Sequence, residues 1–260
     1  MKGYFLLICF SLASYLNGEI IETKNFKEIT HHIHPETLVI LDIDDTLLVP
    51  VQTLGTDAWF LSRLDHHFQL KKDHFLALDQ ALAEWEAIRH ITNVKIVEEG
   101  TEEIINDMQK ENIVIMGLTT QGLALATRTV VQLKSLSIDL SKTAPSDQDS
   151  YFINGQNGVL YRQGILFTSG TSKGEALIKL LDMINYHPKD VVFINDKKNN
   201  LQDVEKSVEL RNMHFIGLRY SYSDQRVANF NQEIAEIQWT HSTFDHLLSD
   251  EEASVLLNRD

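Results

Sequence analysis

One cysteine, Cys9, occurs in 260 residues. An intrachain disulfide is therefore excluded. Because Cys9 lies in an apolar N-terminal run, the chain beyond that run has no thiol nucleophile and no cysteine ligand for a metal. Basic residues are also scarce: 23 Lys and Arg stand against 37 Asp and Glu, a formal charge of -14. Such a field repels polyanions and argues against nucleic-acid polymers and anionic membrane surfaces as partners. No apolar run is long enough for a stable membrane span; Tyr4 to Leu16 falls short of what a bilayer requires. Internal repeats, low-complexity tracts and coiled-coil heptads are missing as well.

What is present suits one domain carrying an insertion, since 43% hydrophobic content can fill a core at this length. Lys2 followed by the Tyr4–Leu16 run has the shape of a secretory leader over residues 1–18. A buried N-terminal helix or strand is the alternative for that run. "LLIC" lacks the small residue that precedes a lipid-modified cysteine, so a lipid anchor is not expected. Export to the periplasm or the medium is the expectation, with residues 19–260 as the folded domain.

Beyond the leader, apolar strands alternate with amphipathic helices. The strands are "TLVILDI", "IVIMGLT", "DVVFIND" and "MHFIGLRY"; "NFKEITHHI" reads as a short helix. Helical spacing of apolar residues runs from Asp57 to His90, and the tail from Asn229 to Leu257 is helical and polar. "GTEEIINDMQKEN" reads as a helix capped by Thr101. "DSYFINGQNGVLYRQGILFTSG" reads as hairpins with Asn-Gly turns. Together these predict an α/β fold, a doubly wound parallel sheet with helices on both faces. Ligands bind outside the carboxyl ends of such strands.

Acids are poor strand formers and costly to bury, yet "LVILDIDDTLLVP" sets Asp42, Asp44 and Asp45 directly after the most strand-like run. Alternation places Asp42 and Asp44 on one side, with Ile43 turned into packing. Two carboxylates held together call for a bridging cation or a retained proton. A strand running out into an acidic, helix-capping loop accounts for the motif equally well. Thr119 and Thr120 end a second strand and could equally cap a helix. Lys173 opens a helix, where the macrodipole disfavours a cation, and could simply be exposed. Asn195-Asp196 ends a further strand and could be a turn. Four such coincidences at successive strand ends point to one site.

This pattern resembles the haloacid dehalogenase-like hydrolase superfamily, marked by Asp-x-Asp-x-Thr after a strand, a strand-ending Ser or Thr, a later Lys and an acid pair. Asp42, Asp44 and Thr46, then Thr119, Lys173 and Asn195-Asp196, match these marks over about Leu38 to Tyr220. The leader and "GLTT" resemble an uncharacterised secreted bacterial branch. The resemblance implies a Mg²⁺-dependent phosphatase acting on a phosphorylated small molecule or a phosphoprotein. Asp42 would be the nucleophile and Asp44 the acid–base. Thr119 (or Thr120) and Lys173 would bind the phosphoryl group, and Asp42, the Asp44 carbonyl and Asp196 would hold the metal. Asn195 and Asn200 stand where acids usually hold metal-bound water, a departure that removes charge.

The resemblance also implies a small helical cap at about residues 49–97. "TLGTDAWF" is expected to be a mobile flap with Gly55 as hinge and Trp59 as wall; Trp59 and Trp85 read equally well as helix-core aromatics. Asp45 is expected to be a turn residue. His31, His32 and His34 are read as solvated loop residues, and these histidines, with His66, His67, His74 and His90, lack the spacing of a zinc site. Two other functions fit the same residues: a secreted binding protein on a retired scaffold, favoured by Asn195, and a phosphomutase.

Overall fold

A computed structural model describes residues 18–258. The leader expected over residues 1–18, with Cys9, lies outside the described residues except for Gly18. The strands are β1 (Glu19–Thr23), β2 (Thr37–Leu41), β3 (Leu48–Pro50), β4 (Val94–Ile96), β5 (Val114–Thr119), β6 (Ser150–Asn154), β7 (Asn157–Arg162), β8 (Ile165–Phe167), β9 (Asp190–Asn195) and β10 (His214–Tyr220). The α-helices are α1 (Asp57–Lys71), α2 (His74–Ile91), α3 (Thr101–Lys110), α4 (Ala126–Ser135), α5 (Lys173–Met183), α6 (Lys198–Glu209), α7 (Asp224–Ala228), α8 (Gln232–His241) and α9 (Asp250–Leu257).

Eight strands form one sheet in the order β1-β10-β9-β2-β5-β8-β7-β6. The pairs from β1 to β8 are parallel, and β7 enters antiparallel. β2 lies between β9 and β5, with Leu41 opposite Ile194 and Gly117. Its uninterrupted apolar sequence has a direct cause. Val39 and Leu41 pack with Ile105 of α3 and Leu133 of α4, whereas Leu38 and Ile40 pack with Leu177 of α5 and Val204 of α6. Both faces are covered, so alternation disappears. Burying each such side chain contributes about 1.5–3 kcal/mol. This is the predicted doubly wound sheet. The chain leaves β2 toward β5 and later returns on its other side at β9, so a crevice opens where the winding reverses.

Between β2 and α3, β3 and β4 form a separate antiparallel ribbon that carries the α1–α2 hairpin. Thr56 caps α1, accepting from the Trp59 N–H at 3.2 Å, and Asp73 caps α2. The helices are joined by ion pairing: Arg63 Nε donates to Glu84 at 2.8 Å, and His67 meets the same carboxylate at 2.9 Å. His67 is therefore a buried residue of the helical segment expected there. Among the described residues, no helix is long and apolar enough to cross a membrane.

Four local readings need correction. β1 was not foreseen; its five residues find their pairing only by docking on distant β10. "NFKEITHHI" forms a 3-10 turn over Phe26–His32, capped by Asn25. Thr101 does not cap α3: Gly100 takes that position at φ +86°, and the Thr101 hydroxyl donates to Glu98 O instead. Asn157-Gly158 lies within β7, and the second hairpin turns at Gln163-Gly164, both with positive φ.

The C-terminal helices close over the hairpin. Trp59 is buried against Trp239, with ring centroids 5.5 Å apart. Asp250 accepts from Thr53 N at 2.8 Å, Thr53 Oγ1 at 3.0 Å and Gln238 Nε2 at 2.7 Å, and Gln238 Oε1 accepts from Leu54 N at 2.9 Å. The "TLGTDAWF" segment is thus stapled at Thr53 and Leu54, immediately before Gly55 with its φ of +85°. Removing the shared acceptor leaves three donors without it. Asp250→Ala is expected to lower unfolding stability by about 1–3 kcal/mol, measured by urea denaturation. A change below roughly 0.5 kcal/mol, the level of an ordinary surface substitution, would show that the staple contributes little.

Candidate functional site at the carboxyl ends of β2, β5 and β9

β2 delivers its acids into a turn with little freedom. The Asp42 N–H still donates to Ile194 O at 3.1 Å, extending the strand pairing by one residue. Ile43 is buried in the core, and its carbonyl accepts from both Leu47 N and Leu48 N. Asp45 sits at φ +60°, with its N–H donating to Leu48 O at 3.0 Å. It is a turn residue as expected and more besides, since its buried carboxylate pairs with Arg226 and its carbonyl accepts from Ser223 Oγ at 2.7 Å. Burial, then repulsion from Asp57, pushes the Asp45 carboxyl up to about 6 against the attraction of Arg226.

Asp42 is buried, and its two oxygens are engaged differently. Oδ1 accepts from Lys173 Nζ at 2.5 Å, and Oδ2 faces Thr46 Oγ1 at 3.4 Å. Lys173 is the first residue of α5, where the macrodipole opposes its charge. Asp42 offsets that cost, and Asp203 supports the same helix end, accepting from Ser172 Oγ at 2.7 Å and from Gly174 N at 3.0 Å. Gly174 is required for this approach: a Cβ there would come within 2.2 Å of Ser207 Oγ and 2.4 Å of the Asp203 carbonyl oxygen.

Asp44 engages other partners. Its Oδ1 accepts from Arg89 Nη1 at 2.7 Å, and its Oδ2 from Gln121 Nε2 at 2.7 Å. Gln121 is held in turn by Thr129 Oγ1, which donates to its Oε1 at 2.5 Å. Burial raises the Asp44 carboxyl above the usual carboxylate range, and attraction to Arg89 opposes that rise. Sequence reasoning missed Arg89 and Gln121. A cation in the last turn of a helix is ordinary complementation of the dipole, and an uncharged amide after "GLTT" carries no signal.

At the end of β9, Asp196 is buried and its Oδ1 has no hydrogen-bond partner. Burial, then repulsion from Asp42, pushes its carboxyl up to about 8, with Lys197 pulling the other way. Burial works against the charge of Lys197, but attraction to Asp57 and Asp196 outweighs it and raises that amine. Lys197 Nζ donates to Asp57 at the start of α1, tying the hairpin to the sheet.

Asn195 is fully buried. Its Oδ1 accepts from Lys197 N at 2.6 Å and from Asn200 Nδ2 at 3.4 Å, so the amide shapes the turn after β9 while its Nδ2 is left without a partner. Thr119 is buried, and its Oγ1 accepts from Gln121 N at 3.1 Å, which leaves its own proton for another acceptor. Thr120 is exposed and lines a cavity of about 330 Å³ together with Asp44 and Trp85. Trp59 does not line it: packed on Trp239, it serves as a core aromatic, not as a wall.

Among the described residues, no group of three or more His, Cys, Asp or Glu side chains is set to hold a metal ion. The charge pattern nevertheless fits a cation. Two buried carboxylates, Asp42 and Asp196, repel each other, Lys173 neutralises only the first directly, and one Asp196 oxygen is unpaired. An all-oxygen site of this kind suits Mg²⁺, which takes few protein ligands and retains water. With Asp44 committed to Arg89 and Gln121, only its backbone carbonyl is free to join.

Similarity to known proteins extends along the whole chain. A "Putative outer membrane protein" of Chlamydia pneumoniae is 25% identical over 272 residues, covering 99% of this chain and 98% of that one. An uncharacterized protein of Rickettsia prowazekii is 22% identical, covering 99% and 98%. Solved structures overlap more loosely. A hydrolase from Pseudomonas syringae covers 75% of this chain and all of its own at 12% identity and a TM-score of 0.44. A haloacid dehalogenase-like family protein from Streptococcus pneumoniae covers 75% of this chain and 98% of its own at 12% identity and a TM-score of 0.45. The sequence profile of the family described as "Protein of unknown function (DUF2608)" matches residues 22–254, nearly the whole described chain, and the protein belongs to that family.

Proposed function

We propose that the protein is an exported, Mg²⁺-dependent phosphatase that hydrolyses a phosphate monoester through a phosphorylated Asp42. The observation that carries this reading is the buried Asp42–Lys173 pair at the end of the central strand, with Asp44 two residues on and Asp196 unpaired beside it. In this reading Asp42 Oδ2, free of Lys173, attacks phosphorus, splitting one difficult step into two. Asp44, whose proton affinity is raised by burial, gives its proton to the leaving oxygen and afterwards takes one from the attacking water. Arg89 and Gln121 hold that carboxyl in place through the exchange. Lys173, with Thr119 or Thr120, holds the phosphoryl oxygens. Asp42, Asp196 and the Asp44 carbonyl would hold Mg²⁺, which supplies charge neutralisation at the phosphoryl group. Export rests on the leader-like first 18 residues and fits the outer-membrane names of the chlamydial relatives.

Replacing the nucleophile separates catalysis from folding, because an amide can still accept from Lys173. Asp42→Asn is expected to lower turnover of an aryl phosphate by about 10⁴-fold or more with the fold intact by circular dichroism. Activity within about tenfold of the parent protein would place the nucleophile elsewhere.

Asp44→Asn should impair both proton transfers. With an activated aryl phosphate, whose leaving group needs little help, phosphorylated Asp42 is expected to accumulate and be visible by mass spectrometry after rapid quench. Fast hydrolysis without any adduct would remove Asp44 from the acid–base role.

Asp196→Asn tests the cation. Relief of repulsion is expected to raise the melting temperature in chelator, while the stabilisation that Mg²⁺ gives the parent protein disappears, as linkage requires of a ligand that binds only the folded state. An unchanged response to Mg²⁺ would show that Asp196 is not a ligand. A parent protein that stays folded yet shows no Mg²⁺ response and no turnover would favour a binding function on this scaffold.

A further inference from the structure

The hairpin helix α2 carries two apolar stripes. Ala77, Ala81 and Ile88 form one and are buried. Phe75, Leu78, Leu82, Trp85 and Arg89 follow each other at steps of three and four and form the second. Exposure along this second stripe is graded. Arg89, bonded to Asp44, is 1% exposed and Trp85 6%, whereas Leu82 is 38%, Leu78 41% and Phe75 77% exposed. Fourteen steps of helical rise from Arg89 to Phe75 make a track of about 21 Å from the acid's partner to the surface.

The buried end of the track opens into the 330 Å³ cavity. Phe60, Leu61, Leu82 and Trp85 supply its apolar lining, and Asp44, Asp57, Thr120, Gln121 and Lys197 its polar one. Leu61 is itself 57% exposed at the mouth. A sugar or other polyhydroxy alcohol could pair with the polar lining, but any part of it reaching the Leu82–Phe75 stripe would find no side-chain partner on that stripe. A hydrocarbon chain would gain from the same surface, and an apolar strip this long is unusual on a surface that covers nothing. The cavity is continuous with the strip through Leu82, which belongs to both.

We propose that the ester accepted at this site carries an apolar chain on its alcohol side. Its phosphoryl group lies at Asp42 and Asp44, and its chain runs through the cavity onto the Leu82–Phe75 stripe. The inference rests on the phosphatase reading for the chemistry, but not for the chain's binding.

The test uses n-alkyl phosphates of increasing length, kept below micelle-forming concentrations, with the full-length protein and Mg²⁺. The parent protein's kcat/KM is expected to rise about two- to fourfold per methylene, levelling off once the stripe is covered. Leu78→Ser and Phe75→Ser alter exposed positions and should leave folding intact. They are expected to flatten the rise for the longer esters, with about a three- to tenfold loss at the long end. Calorimetry with Asp42→Asn gives dissociation constants for the same series without turnover, and these should tighten in parallel. Hydrolysis at a rate independent of chain length would overturn the proposal while leaving the phosphatase reading intact. Tightening with chain length in a protein that never turns over would support the chain site and count against the chemistry. If the two serine variants abolish self-association in sedimentation yet leave the chain-length dependence unchanged, the stripe is an interface between copies of this chain and the proposal fails.

Discussion

Asp42 and Asp196 bring two carboxylates into a buried corner at the ends of β2 and β9, and Lys173 is in direct contact with the first of them. Much of the neighbouring architecture serves that contact. α5 must begin close enough for Lys173 to reach β2, which demands Gly174 against α6 and a cap at Ser172 held by Asp203. The central position of β2, covered on both faces, fixes where Asp42 emerges. Truncating Lys173 would leave a buried charge without its partner, the costly direction in which to break such a pair. The unpaired Asp196 oxygen, on a carboxyl that burial and Asp42 push up to about 8, is the feature of the corner that a cation would satisfy.

The hairpin is fastened to this corner by charge as well as by packing. Arg89 reaches Asp44 from α2, and Lys197 reaches Asp57 at the start of α1 from the end of β9. Arg89 is buried with its guanidinium over Trp85, 5.2 Å from the ring centroid, and two of its nitrogens lack partners. Its position is thus held by the acid and the aromatic ring together. The C-terminal helices reinforce the arrangement from outside through Trp239, Gln238 and Asp250. One pair of helices therefore positions the group beside the candidate nucleophile and also shapes the apolar cavity in front of it.

The central sheet was legible because burial on both faces leaves a plain trace: "TLVIL" and "VVFI" are apolar without alternation, and an acid follows each. Asp42, Lys173 and Asp196 come together because each ends or begins an element whose order along the chain dictates neighbouring positions in a doubly wound sheet. Arg89, Gln121 and Arg226 were not legible. Their contacts depend on how α2, the loop after β5 and α7 dock on the β2 turn, a tertiary matter that no local spacing encodes. β1 was obscured for the same reason, since five residues show nothing of their pairing with a strand almost two hundred residues on. Thr101 misled because a hydroxyl at a helix start can donate backward as readily as it accepts forward. Trp59 stayed open between wall and core aromatic because its partner, Trp239, comes from the distant tail.

The central claim is that Asp42 is poised to carry a phosphoryl group in a corner completed by a cation. Beryllofluoride forms a stable mimic of a phosphorylated aspartate and can be followed by ¹⁹F NMR without any substrate being known. With Mg²⁺, the parent protein is expected to give bound-fluoride resonances that vanish on chelation and are missing from folded Asp42→Asn. Bound resonances of equal intensity in Asp42→Asn, or none in the parent protein at saturating Mg²⁺, would contradict the account.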